Sequence, residues 1–258
     1  DRVKSYLGLR TVGVSDGPFL LNDLPYFLRF ALGQNYWPNS HLAASAETLK
    51  KEVELIKAMG FNGVRIHQKI EDPRFLYWCD VLGLLVWEEM PSAYIFSNSM
   101  ARRLTAEWSE AIRRDKSHPC IVAWVPLNES WGVQYIADKA DEKHFANALY
   151  HLTKALDPSR PAISNDGWEL AETDIISVHD YSPDGEGIAM SFGDGEALEA
   201  MLYGRGPARR RILLDDSDID GRPVMLTEFG GLSYTPKAGD HWFGYSTVES
   251  PEEYAARL

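Results

Sequence analysis

Strand-like apolar runs alternate with helical patterns along most of these 258 residues, and that alternation restricts the fold more than any other feature. A strand followed by a helix and then another strand builds a parallel sheet with helices packed over it. Two of the runs end in a glutamate with a glycine close behind. One is Val-Pro-Leu-Asn-Glu-Ser-Trp-Gly, centred on Glu129 and ending at Gly132; the other is Pro-Val-Met-Leu-Thr-Glu-Phe-Gly-Gly, centred on Glu228 and ending at Gly231. Carboxylates that end two strands of one sheet can face each other across a pocket, and paired carboxylates are the machinery for cleaving a glycosidic bond.

The bulk numbers narrow the alternatives. Lys and Arg total 26 against 38 Asp and Glu, a formal net charge of −12. A nucleic-acid partner demands a basic face, so none is expected. No run of about 18 apolar residues is present, so no transmembrane helix and no membrane partner are expected. The N-terminus lacks both a signal peptide's apolar core and an initiator Met, which predicts an excised piece or a mature product and leaves the compartment, cytoplasmic or secreted, open. Cys79 and Cys120 show no CxxC spacing and read as buried thiols. Eight Trp and twelve Tyr, several beside polar strand ends, suit a sugar, whose C–H faces stack on rings while its hydroxyls need polar partners.

Along the chain, residues 1–29 read as a hairpin and lead-in, with turns at 15–18 and at Asn22-Asp23. A barrel domain is expected over 30–258. Its strands are predicted at about 30–35, Gly63–His67, Leu84–Trp87, Ile121–Val125, Ala162–Ser164, Ile175–Val178 and Val224–Thr227. The first helix is predicted to be capped by Ser45 and stopped by Gly60, with Leu49, Val53 and Ile56 on its apolar face. Asp72-Pro73 reads as cap and first turn of the second, which ends at Gly83. Leu104, Trp108 and Ile112 mark the third. Phe145, Leu149, Leu152 and Leu156 mark the fourth, closed by Asp157-Pro158. Residues 183–222 form a long insertion with one weak helical stretch near 195–203, expected to be a lid or a wall of the cleft. A last helix begins at Pro251. The fold class predicted is therefore α/β, a (β/α)8 TIM barrel truncated before its eighth strand, since seven strands use up the chain.

In such a barrel the chemistry sits at the C-terminal strand ends. These ends present Asn35, Tyr36 and Trp37; Arg65, His67 and Gln68; Glu88 and Glu89; Asn128 and Glu129; Asn165, Asp166 and Trp168; His179, Asp180 and Tyr181; and Glu228. Metal binding is the rival use of such groups, but no HxH or HExxH spacing supports it, so no metal and no cofactor are expected.

These motifs resemble the catalytic barrel of glycoside hydrolase family 2, which contains β-galactosidases, β-glucuronidases and β-mannosidases. The resemblance begins at Ser5-Tyr6-Leu7-Gly8-Leu9-Arg10 and Leu20-Leu21-Asn22-Asp23. It runs through Leu49-Lys50-Lys51-Glu52, Phe61-Asn62-Gly63-Val64-Arg65, Tyr77-Trp78-Cys79-Asp80 and Trp87-Glu88-Glu89 to Asn128-Glu129-Ser130 and Thr227-Glu228-Phe229-Gly230. It implies a retaining exo-acting β-glycosidase, with Glu228 as nucleophile and Glu129 as general acid/base. It further implies that Asn128 bonds the sugar 2-hydroxyl, that Arg65 supports the nucleophile's ionised form, and that His179 and Tyr181 line the site. His67, Asp166 and Trp168 complete the expected substrate-binding set. The resemblance also implies β-sandwich domains elsewhere in the parent chain.

The chain departs from the family after the second strand. Where the family commonly has Ser/Ala-His-Asn/Tyr-Pro, this sequence has Ile66-His67-Gln68-Lys69, and the sugar stays open. A non-catalytic carbohydrate-binding or inactive barrel fragment and a metal-dependent hydrolase are the competing expectations.

Overall fold

A computed structural model describes residues 2, 4–15, 17–214, 221–234 and 243–257. Asp16 of the first expected turn and residues 215–220 of the expected insertion lie outside the described residues. At the N-terminal end, β1 (Val12–Val14), β2 (Phe19–Leu21) and β3 (Leu24–Pro25) form a three-stranded antiparallel sheet. Asn22 and Asp23 join β2 to β3 at φ 53° and 63°. Two consecutive left-handed residues match the twist of a tight hairpin, and Asn and Asp tolerate that region better than other side chains.

The parallel part begins with β4 (Phe30–Gly33), followed by α1 (Ala46–Ala58), β5 (Gly63–Ile66), α2 (Pro73–Leu82), β6 (Leu85–Glu89), α3 (Asn98–Asp115), β7 (Ile121–Val125) and α4 (Ala140–Leu156). β4, β5, β6 and β7 pair in that order, all parallel. After them come β8 (Ile176–Asp180), α5 (Gly185–Phe192), α6 (Gly195–Tyr203), a 3-10 turn at Pro207–Arg209, and β9 (Val224–Phe229), which pairs parallel with β8. β10 (Leu232–Tyr234), β11 (Ser246–Val248) and α7 (Pro251–Arg257) complete the described elements.

The helix ends follow the sequence signals. Ser45 accepts the Thr48 N–H at the start of α1. Asp72 accepts the Arg74 N–H with Pro73 at the first turn of α2, and Gly83 ends that helix in the left-handed region. On α4 the buried face is Glu142, Ala146, Leu149 and Thr153. Of the predicted stripe only Leu149 is fully buried, because Phe145, Leu152 and Leu156 lie along the edge of that face. α5 was legible only as loop, since glycines interrupt it. Yet Asp184 and Asp194 each cap a helix by accepting the N–H three residues on.

The expected strand at Ala162–Ser164 is not a ladder. It makes isolated parallel bridges from Ala162 to Trp124 and from Asp166 to Asn128. The reason is local: Pro161 has no N–H, the Ala162 N–H goes to Asp174 Oδ2 at 2.9 Å, and the Ser164 N–H goes to Thr173 Oγ1 at 3.4 Å. Donors that a ladder would use are taken by side chains. Among the described residues no ladder joins β9 back to β4, so they form no closed barrel.

Strand alternation sorts the sheet's side chains onto two faces. Val64, Ile66, Val86, Ile121 and Trp124 pack against the helices, with Leu49, Val53, Phe75, Trp108 and Ile112. Trp87, Ala123 and Val125 join the opposite cluster with Ile163, Ile176 and Val178. Arg65 and Glu89 share that inward face and bond each other there. Glu88 faces the helices instead, beside Asp115 of α3, where burial and then the Asp115 carboxylate raise its pKa well above the usual range. A glutamate expected among the site-facing strand ends is thereby placed on the wrong side of the sheet for it. Among the described residues, no helix is long and apolar enough to cross a membrane.

Candidate active site

Glu129 and Glu228 come together. Each offers an oxygen, with a nitrogen of His179, in a cluster whose atoms all lie within 4.8 Å of one another. The two carboxylates have different surroundings. Glu228, at the end of β9, takes hydrogen bonds from Arg65 Nη1 at 2.7 Å on Oε1 and from the Tyr181 hydroxyl at 2.5 Å on Oε2. Glu129 bonds His179 Nδ1 at 2.8 Å. The Glu129 side chain is 21% exposed and that of Glu228 only 5%, so one reaches water and the other is enclosed.

Arg65 is the hub beneath them. Buried on β5, it donates to Glu89 Oε2 from Nε (2.7 Å), to Glu228 Oε1 from Nη1 (2.7 Å) and to Asn128 Oδ1 from Nη2 (2.7 Å). Asp166 Oδ2 lies 3.1 Å from Nη1. Burial opposes its charge, but the Asp166, Glu89 and Glu228 carboxylates outweigh that and raise its pKa further. Burial would push Asp166 up; Arg65 and His179 instead hold it below the usual carboxylate range.

His179 sits between Glu129 and Asp166, with Nε2 3.4 Å from Asp166 Oδ1. Burial alone would lower its pKa; the hydrogen bonds to Asp166 and Glu129 overcome that and hold it at about 9. Tyr181 is pushed above the ordinary tyrosine range by burial and by the Glu228 charge, so it stays a phenol that donates to Glu228. Glu129, His179 and Glu228 could also present ligands to a cation, but a cation would have to displace the proton that Asp166 and Glu129 favour on His179. In the second cluster with ligand geometry, Asp80, His118 and Cys120, the Asp80 carboxylate already bonds His118 Nδ1 and accepts from the Cys120 N–H and the Tyr6 hydroxyl.

The backbone is shaped for this arrangement. Glu129 and Ser130 lie consecutively in the left-handed region, at φ 51° and 58°, a costly conformation for residues with a Cβ. Several bonds hold it: Glu129 N–H to Asp166 O at 2.9 Å, Ser130 N–H to Asn165 Oδ1 at 2.9 Å, and the Ser130 hydroxyl to Glu169. Gly167, at φ 106°, leaves room for His179, since a Cβ there would stand 2.6 Å from Nδ1. Gly231, at φ 66°, passes beside two stacked rings, Tyr181 and Tyr245, whose centroids are 3.6 Å apart at 13°.

The predicted residues divide by depth. Trp168, His179, Tyr181 and Glu129 line a cleft of about 700 Å³. Asn128, Arg65 and Asp166 lie under it, almost without exposed surface. His67, one residue past the end of β5 rather than within it, stands 3.3 Å from Glu89 and 3.6 Å from Glu228. The far wall is the insertion, with Met190 of α5, Ala197 and Met201 of α6, and the loop from Arg205 to Ala208. Glu89, expected as a strand end, faces the site as Arg65 does on the neighbouring strand, and accepts from it. Thr227, Gly167 and Tyr245 were missing from the expected set. Thr227, whose hydroxyl donates to Asp166 at 2.7 Å, could have been found because it precedes Glu228 on a strand end. Tyr245 had no sequence signal.

Parallel strands alternate with helices, and two strand-end carboxylates come together above a buried arginine. The family described as "Glycosyl hydrolases family 2, TIM barrel domain" matches residues 12–191, and the chain belongs to it. Rat (Rattus norvegicus) β-glucuronidase is 29% identical over 189 residues, covering 68% of this chain and 28% of the relative. A β-galactosidase from Pectobacterium atrosepticum is 30% identical over 184 residues, 66% of this chain and 16% of its own. The crystal structure of a family 2 β-galacturonidase from Eisenbergiella tayi, bound to galacturonate, superposes with a TM-score of 0.74 over 96% of this chain and 43% of its own, at 21% identity, a likeness of fold. The chain thus spans about a quarter of the length of the mammalian relatives it matches.

Proposed function

We propose that this chain carries the catalytic centre of a retaining, exo-acting β-glycosidase, with Glu228 as nucleophile and Glu129 as general acid/base. The observation that carries the reading is the approach of the two carboxylates, with oxygens within 4.8 Å. Retaining enzymes hold the pair about 5–5.5 Å apart, whereas inverting ones need about 6.5–9.5 Å to admit a water.

In the first step Glu228 attacks the anomeric carbon while the bond to the leaving oxygen breaks. The proton from Glu129 passes to that oxygen, and a glycosyl ester of Glu228 forms. In the second, a water gives its proton to Glu129 and its oxygen attacks the anomeric carbon, which releases Glu228. Arg65 and Tyr181, each donating to one Glu228 oxygen, fix the carboxylate for attack. The greater exposure of Glu129 suits a group that must meet both the leaving group and a water. Asn128, held by Arg65 at 2.7 Å, stands beside Glu129 for the sugar 2-hydroxyl.

Relatives act, by their names, on β-glucuronides, β-galactosides and β-galacturonides, and a terminal β-linked hexose or hexuronate is the substrate class read here. The test is a 2-fluoro β-glycoside carrying a good leaving group, followed by peptide mapping. Trapping on Glu228, with loss of turnover in Glu228→Gln, supports the reading. Trapping on another residue, or product of inverted anomeric configuration, sinks it.

A further inference from the structure

The wall of the cleft formed by the insertion carries a cation that the mechanism does not use. Among the described residues, Arg205 is the one arginine or lysine that lines the cleft. It is exposed, and among the described residues it makes no hydrogen bond or ion pair. Its neighbour Arg210, by contrast, is committed: it donates to Glu169 at 2.9 Å and stacks over Trp168.

The loop that presents Arg205 is held by its own backbone. Gly206 N–H donates to Arg210 O at 2.8 Å, and Arg209 N–H donates to Gly206 O at 3.1 Å. Gly206 packs so closely on Ile212 that a Cβ would stand 2.7 Å from it. Arg205 is thus presented at the wall of the cleft by a bonded turn that also packs on the apolar core.

Electrostatics make this position selective. The chain's formal net charge is −12, and Glu129 and Asp180 line the cleft beside His179, so an anionic substrate meets repulsion from these carboxylates. A guanidinium in the wall supplies the compensating charge and a planar fork that fits a carboxylate or sulfate through two parallel hydrogen bonds.

We propose that Arg205 recognises an anionic oxyacid group on the substrate, a carboxylate or a sulfate ester, and so makes the cleft selective for charged sugars. This rests on the glycosidase reading of the same site. The insertion therefore determines specificity as well as walling the cleft.

The test uses the full chain, with KM and kcat measured on three sets of 4-nitrophenyl β-glycosides: hexuronides, 6-sulfated hexosides and neutral hexosides. Arg205→Gln is expected to raise KM for the anionic set at least tenfold relative to the neutral set, and Arg205→Glu by more. Arg205→Lys, which keeps the charge without the fork, is expected to fall between. Whether the hexuronides or the sulfated hexosides respond tells a carboxylate from a sulfate. An equal change on charged and neutral substrates, or wild-type preference for the neutral set, overturns the assignment while leaving a glycosidase in place. No hydrolysis of any set, together with no trapping on Glu228, overturns the glycosidase reading and this one with it.

Discussion

Arg65 Nη1 lies 2.7 Å from Glu228 Oε1, so a cation on β5 and a carboxylate at the end of β9 meet across 163 residues of chain. The same guanidinium serves Glu89, Asp166 and Asn128. Removing it leaves carboxylates buried without their cation, the situation in which breaking a buried pair is most costly. Arg65→Gln is expected to lower stability by about 3–5 kcal/mol in urea denaturation. Arg65→Lys restores the charge but not the fork, and is expected to recover only part. A lysine variant as stable as wild type would show that the fork does not matter.

Glu129 is read as the proton donor to the leaving group, and its removal should hurt in proportion to the need for that proton. Glu129→Ala is expected to cut kcat/KM by about 10²–10⁴-fold on alkyl β-glycosides, and far less on dinitrophenyl β-glycosides, which leave without help. The measurement is a leaving-group series. Equal losses across the series would remove Glu129 from the acid role.

His179 gives the fold a pH dependence whose sign is set by the raised pKa. A histidine held at about 9, against 6.5 when unfolded, stabilises fully below pH 6.5 and loses that contribution as pH rises through about 9. The gap corresponds to about 3 kcal/mol. Thermal denaturation is expected to show Tm falling between pH 6.5 and 9 in wild type and much less in His179→Gln. A wild-type Tm that is flat or rising across this window contradicts the assignment.

Gly167 is needed twice, for its φ of 106° and for the space a Cβ would take from the His179 ring. Gly167→Ala is expected to cost about 1–3 kcal/mol of stability for the backbone alone, and to lower activity because His179 is displaced from Glu129. The chemical shifts of the His179 ring would move in the variant. An alanine variant with wild-type stability and unchanged His179 resonances would refute the steric argument.

Much of this fold was legible because its signals are local. Ser45, Asp72, Pro73 and Gly83 mark helix ends through bonds made within a few residues, and the structure repeats them. Glu129 and Glu228 stood out because each ends a strand-like run beside a glycine. The reading failed where backbone donors were taken by distant side chains. Residues 162–164 look like a strand, yet Asp174 and Thr173 hold two of their N–H groups. It failed again at Glu88, which the pleat sends to the face opposite its neighbour Glu89.

The sequence by itself determined the α/β alternation, the helix caps, the strand-end carboxylates and the acidic balance, since each is written in neighbouring residues or in composition. Only the tertiary structure decided which acids share Arg65, that His179 is held protonated between Glu129 and Asp166, and that Tyr245 stacks on Tyr181. It also decided that the insertion brings Arg205 to the cleft. These relationships join residues tens to hundreds of positions apart, and their energetics depend on burial, which exists only once the sheet has brought them together.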